Sequence, residues 1–196
     1  MNDRFNLTGF EQELVFSTEM MNAKNCIIQK VVGLFADLSE HYVSIANPAL
    51  PVHITSVSPK ISKGEQYLGL PYVMLDYPRI FSKEQTFAIR TFFWWGHHFS
   101  IHLHVSGNYK NQYQSQIKQA INKNQLSNWY VCVNEDEWQH HFEEDNYAPL
   151  KQREEAITSL QSNFLKVAKK IPLTQWNTSA KTLLESFRLL IRLTGA

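Results

Sequence analysis

A single α+β domain built around a mainly antiparallel sheet is the fold class that the sequence predicts. Three observations carry it. Apolar residues recur at three- and four-residue steps near both ends, as in helices with one buried face. Between about residues 52 and 106 the pattern turns to alternation and to β-branched and aromatic residues, as in strands. No internal repeat and no Gly/Ser- or Pro-rich linker divides the 196 residues, a length that suits one domain with one core.

The first helix is expected over 18–40, with Met20, Ile27, Val31, Leu34 or Phe35, and Leu38 along one stripe. Ser17 or Thr18 can accept from its first unbonded amides. "ANPALP" (46–51) ends it, because two prolines within four residues cannot continue a helix. The strands of a meander follow: "VHITSV" from residue 52, then "YLGLPYVMLDY", "TFAIRTFFWW" and "FSIHLHV". Pro71 places the start of the second run at an edge or outside the ladder. Residues 109–122 read as a helix carried by Tyr113, Ile117, Ala120 and Ile121, and 129–133 as one more strand. Two closing helices are expected, one through Ile157, Leu160, Phe164, Val167 and Ile171, the other behind Thr178 through Leu183, Leu184, Phe187, Leu190 and Ile191.

Composition narrows the function classes. Apolar residues make up 43% and charged residues 19%, so the chain is globular and not disordered. A net charge of +1 gives no general attraction for nucleic acid or an anionic membrane. Lys110, Lys118 and Lys123 lie among aromatics, but three lysines attract phosphate weakly and no nucleic-acid motif accompanies them. "MNDRFNLTGF" lacks an apolar signal core and the longest apolar runs reach about six residues, so a cytoplasmic chain outside the membrane is expected. Cys26 and Cys132 each sit in apolar surroundings with no paired thiol nearby, and both are expected to be reduced and buried.

The candidate site begins with "WWGHHFSIHLHVSG" (94–107), which holds four of the eight histidines. Alternate strand residues share a face. Ser100, His102, His104 and Ser106 therefore point one way, and Phe99, Ile101, Leu103 and Val105 the other. The preceding strand divides into Phe87, Ile89, Thr91 and Phe93 against Ala88, Arg90, Phe92 and Trp94. An even connection, with Gly96-His97 as a two-residue turn, would put Arg90 among Leu103, Ile101 and other apolar neighbours. An odd connection would put Phe93 opposite Ile101, Ile89 opposite Val105, Arg90 opposite His104 and Phe92 opposite His102. An unpaired buried guanidinium costs several kcal/mol, against about 1 kcal/mol for a less favoured turn. The odd parity is therefore expected, since a one-residue slip would exchange the faces.

That parity assembles a ligand-binding set of Asp76, Arg79, Arg90, Phe92, Trp94, Ser100, His102 and His104. Arg90 and Arg79 would meet an anion, the histidines would donate hydrogen bonds, the aromatics would supply contact area, and Asp76, placed before a Tyr-Pro turn, would orient a histidine. The expectation is a domain that binds a small anionic or aromatic molecule, without a cofactor. Two alternatives use the same residues. One is a metal-dependent enzyme on His102 and His104, with His98, Asp76 or His141 as a third ligand. No HExxH and no GxSxG accompanies them. The other is an interaction or oligomerisation domain anchored by Trp94 and Phe92.

A second cluster, "NEDEWQHHFEED" (134–145), reads as a short helix capped by Asn134. In a helix Glu137 would neighbour His141, and His140 would neighbour Glu144, each carboxylate raising its histidine's pKa.

Overall fold

The computed structural model describes residues 3–151 and 162–195, and it is an α+β fold with a seven-stranded antiparallel sheet. The helices are α1 (Gly9–Phe16), α2 (Thr18–Ala46), α3 (Val52–Thr55), α4 (Gly107–Asn122) and α5 (Trp176–Thr194). The strands are β1 (Lys60–Tyr67), β2 (Leu70–Phe81), β3 (Thr86–Trp94), β4 (His98–Ser106), β5 (Tyr130–Cys132), β6 (Tyr147–Pro149) and β7 (Phe164–Pro172). They lie in the order β1-β2-β3-β4-β7-β5-β6. Among the described residues, no helix is long and apolar enough to cross a membrane.

One face of the sheet carries the main core. Phe87, Ile89, Phe93, Phe99, Ile101, Leu103 and Val105 are buried against α2, α4 and α5. Helix α2 presents Ile28, Val31, Phe35, Leu38, Tyr42 and Ala46. Phe35, not Leu34, is thus the core residue, and Met20 is exposed. The ring of Tyr42 stacks on Phe187 of α5 at 3.7 Å, and its hydroxyl meets Thr91 Oγ1 at 3.1 Å. That bond satisfies the one polar side chain this face presents in mid-strand on β3. Ser17 caps α2 by accepting from Met20 N.

Several expectations need correction. Residues 52–55 of "VHITSV" form α3, a single turn in which Ile54 is buried and Val52 exposed. Pro51 sits just before it, and its carbonyl accepts from Ile54 N. The first strand is instead "KISKGEQY", a half-exposed edge whose polar sequence hides it. Residues 164–172 form β7, not the end of a helix, and Ile157 and Leu160 lie outside the described residues. Phe164, Val167 and Ile171 fit a helical stripe, yet "FLKVAKKI" also alternates, and pairing with β4 along its whole length decides for the strand. Cys26 is exposed, because the early part of α2 is not covered; Cys132 is buried.

The turn after β3 spans Trp95, Gly96 and His97, so the parity is odd. The register differs by two residues from the expected one. Arg90 pairs with His102, Phe92 with Ser100, Ile89 with Leu103 and Phe93 with Phe99. Gly96, at φ 74°, provides the left-handed residue that tightens this three-residue connection. Strand β2 also runs through Tyr77-Pro78 rather than ending at Asp76. A bulge separates Asp76, paired with Arg90, from Arg79, paired with Ala88.

Candidate functional site

The second face of the sheet carries Arg90, Phe92 and Trp94 from β3, His98, Ser100, His102 and His104 from β4, and Lys166 from β7, which pairs with His104. Segment 133–146 lies over it. This segment is irregular, not helical. Asn134 Oδ1 accepts from Asp136 N at 2.7 Å, and Asp136 Oδ1 from Trp138 N at 2.9 Å, giving successive side-chain turns. Lys166 Nζ donates to the Glu137 and Gln139 carbonyls at 2.8 and 2.6 Å, removing acceptors that a helix would need. Tyr67 Oη accepts from the backbone amides of His140 and His141 at 2.7 and 3.0 Å.

Beneath the segment is a chain of buried polar groups. Arg90 donates to Asp76 in bidentate fashion, Nε to Oδ1 at 2.7 Å and Nη2 to Oδ2 at 2.9 Å. Its Nη1 lies 2.7 Å from His140 Nε2, and His140 Nδ1 lies 3.1 Å from Lys166 Nζ. Hydrogen-bond inventory assigns the protons. Guanidinium only donates, so His140 Nε2 is the acceptor and Nδ1 carries the hydrogen. Lys166 then accepts from Nδ1–H while donating to two carbonyls, which a neutral amine does and an ammonium cannot. Burial pushes the Lys166 pKa down to about 7, in accord with this. Burial, with Lys166 next, also holds His140 far below the usual histidine range. The helical Glu144 contact expected to raise it does not form.

His102 is completely buried. Its Nε2 and Nδ1 lie 2.8 Å from Ser100 Oγ and Tyr147 Oη, two hydroxyls that can each donate or accept. Burial lowers its pKa far below normal, with Lys166 the next cause. His98 is pushed down to about 3, first by burial and then by Lys170. His104 behaves differently because it reaches the margin. Its Nε2 lies 2.7 Å from Glu137 Oε2, and the Glu137 side chain is 29% exposed. Burial lowers the His104 pKa although Glu137 opposes it, and the bond from His104 lowers that of Glu137. The pair is therefore neutral imidazole beside carboxylate, with Nε2–H donating.

Glu137 of this pair lines a cleft of about 530 Å³ together with Glu84, Ser106, Glu135, Asp136 and Trp138 among others, and among the described residues of the wall Lys83 is the one cationic side chain. Trp138 is 46% exposed and meets the rings of Phe81 and His104 at 5.9 and 5.4 Å.

The residues singled out by alternation thus divide. Asp76, Arg90, Phe92, Ser100, His102 and His104 are drawn together on one face, but Asp76 holds Arg90 and not a histidine. Trp94 stacks on His97 at 3.6 Å and donates from Nε1 to the Tyr67 carbonyl at 3.2 Å. Arg79 turns away and donates from Nε to the Ser58 carbonyl at 2.8 Å. The sequence pattern does not single out Lys166, Tyr67 or Tyr147, and it places Glu137 and His140 in a separate helix. The signal for Lys166 was the alternation of "FLKVAKKI", which sets it between Phe164 and Ala168. Among the described residues, no group of three His, Cys, Asp or Glu is disposed to hold a metal ion. No family model, no curated protein and no solved structure matches this chain.

Proposed function

We propose that the chain is a small-molecule-binding domain whose ligand enters the cleft at the His104–Glu137 pair. The observation that carries this reading is that pair itself, where the buried polar face meets a cleft walled by an exposed indole. Among the described residues of the wall, Glu84, Glu135, Asp136 and Glu137 outnumber Lys83. Arg90 and Arg79, the groups expected to meet an anion, are committed to Asp76 and Ser58. The lining therefore favours an aromatic amine over an anion. Its ring would lie on Trp138 and its cationic nitrogen against Glu137. Arg90, Phe92, Ser100 and His102 lie on the same buried face of the sheet as His104.

The alternatives draw less support. A metal on His102 would have to displace its bond to Ser100 or its bond to Tyr147. Trp94 packs on Tyr67 and His97 and Phe92 on Tyr67 and His140, and both are buried, which leaves them little surface to offer a partner. The test is tryptophan-fluorescence and thermal-shift titration with a panel of aromatic amines and aromatic carboxylates. We expect at least one amine to bind and the carboxylates not to. Glu137→Gln and Trp138→Ala should each weaken binding by about tenfold or more, on the scale of one charge-assisted bond or one stacked ring. Binding that both variants leave unchanged, or no response from any amine, overturns the reading.

A further inference from the structure

His140 is held between two basic side chains that make opposite demands on its ring. Arg90 Nη1, 2.7 Å from Nε2, can only donate, and Lys166 Nζ lies 3.1 Å from Nδ1. A neutral imidazole has one acceptor nitrogen and one N–H. Both contacts are therefore satisfied together only while Lys166 offers a lone pair, and an ammonium has none. With a proton on Lys166, keeping both would require both ring nitrogens to accept, which only an imidazolate does. Neither cation is free to yield. Arg90 is fixed on Asp76 by two bonds, and the bonds from Lys166 to the Glu137 and Gln139 carbonyls strengthen when the amine is charged. The ring is the part that must move.

We propose that Lys166 and His140 form a proton-operated latch on segment 133–146: a proton taken from solvent onto the Lys166 amine breaks the Nδ1–H···Nζ bond, displaces the His140 ring from between Lys166 and Arg90, and loosens the chain around it. The groups facing the amine set where this happens. Burial is the largest influence and disfavours the ammonium; Cys132 of β5 favours it, Arg90 of β3 opposes it, and Asp136 and Glu137 of the covering segment favour it. The balance brings the amine to about 7. His102 and His104 of β4 and Tyr147 of β6 also face it, all three neutral, with the Tyr147 ring centroid 5.6 Å from Nζ. Glu137 and Trp138, just before His140 in the chain, line the cleft, so the latch sets how firmly that wall is held. It acts whether or not the cleft takes a ligand.

Histidine-ring nitrogen NMR and amide hydrogen exchange of the full chain test the latch without any ligand. At about pH 8.5 the His140 ring should carry its hydrogen on Nδ1 and none on Nε2, and at about pH 6.5 that pattern should be lost. Between the same two conditions the protection of the His140 and His141 amides, which donate to Tyr67 Oη, should fall about tenfold relative to the amides of β4, the scale of one lost hydrogen bond. Lys166→Met and His140→Phe each remove one half of the latch, and in both the relative protection should be the same at the two pH values. His140→Phe keeps an aromatic ring against Tyr67 and Phe92, so it carries the comparison if Lys166→Met does not fold. An Nε2–H ring at the higher pH overturns the proposal, as do ring signals or relative protection that do not change between the two conditions. So does a step that persists in either folded variant, as one arising from His141 opposite Asp145 would.

Discussion

Lys166 shows how one side chain can organise a segment far from it in sequence. Its amine holds the Glu137 and Gln139 carbonyls and the His140 ring at once. Its pKa in the folded chain, about 7, lies well below the ordinary lysine value of 10.5. Between these two values the unfolded chain binds a proton that the folded chain does not. Stability therefore rises as the pH is raised through this window, and it falls as the pH is lowered towards 7, by up to about 1.4 kcal/mol per pH unit. Lys166→Met should remove this slope between pH 7.5 and 9.5 in urea denaturation. It should also cost about 2–4 kcal/mol, since two buried carbonyls lose their donor.

At the scale of elements, legibility followed local periodicity. The opposed faces of β3 and β4 could be read because a period of two is rigid, and a buried guanidinium beside Leu103 would have been too costly. The register could not, since shifting the turn centre from His97 to Gly96 moves each partner by two and leaves the faces alone. Strand β7 was concealed because Phe164, Val167 and Ile171 satisfy helix and strand alike, and only the ladder to β4 separates them. The path of 133–146 is set by Lys166 and Tyr67, whose part in it no local pattern announces. Asp76 stands out in the sequence but its partner does not, because the bulge beside it, which sets it opposite Arg90, has no local signature. The start of α4 offers a test at this scale. Gly107 has a φ of 56°, and a Cβ there would collide with the Glu84 carbonyl and Gln85. Gly107→Ala should destabilise the protein by about 1–3 kcal/mol in thermal melts and displace the loop that carries Glu84 at the rim of the cleft.

For the whole molecule, the division between the two faces of the sheet governs the response to acid. His98, His102, His104 and His140 all have folded pKa values below the ordinary 6.5, in each case chiefly through burial. Unfolded, they bind protons near 6.5. The contribution of these histidines to folding stability is thus full above that pH and declines as the pH falls below it, by up to about 1.4 kcal/mol per pH unit for each histidine that stays neutral. Acid unfolding followed by circular dichroism should therefore be steep, cooperative and centred near about pH 5, well before most carboxylates are protonated. Four surface-like histidines would give a shallow profile instead. His102 and His104 are legible in the sequence as one face of a strand; their depth of burial is not, because segment 133–146, which covers that face, carries the pattern of a separate solvated helix.

The strand order has a consequence for synthesis. β7 is the last strand to leave the ribosome, yet it lies between β4 and β5, both made earlier. Until it emerges, the β5–β6 hairpin has no backbone ladder to the other described strands, and β4 offers a bare ladder to any neighbouring nascent chain. A translational stall before residue 164 would therefore leave a sheet split in two, with both cut edges unpaired.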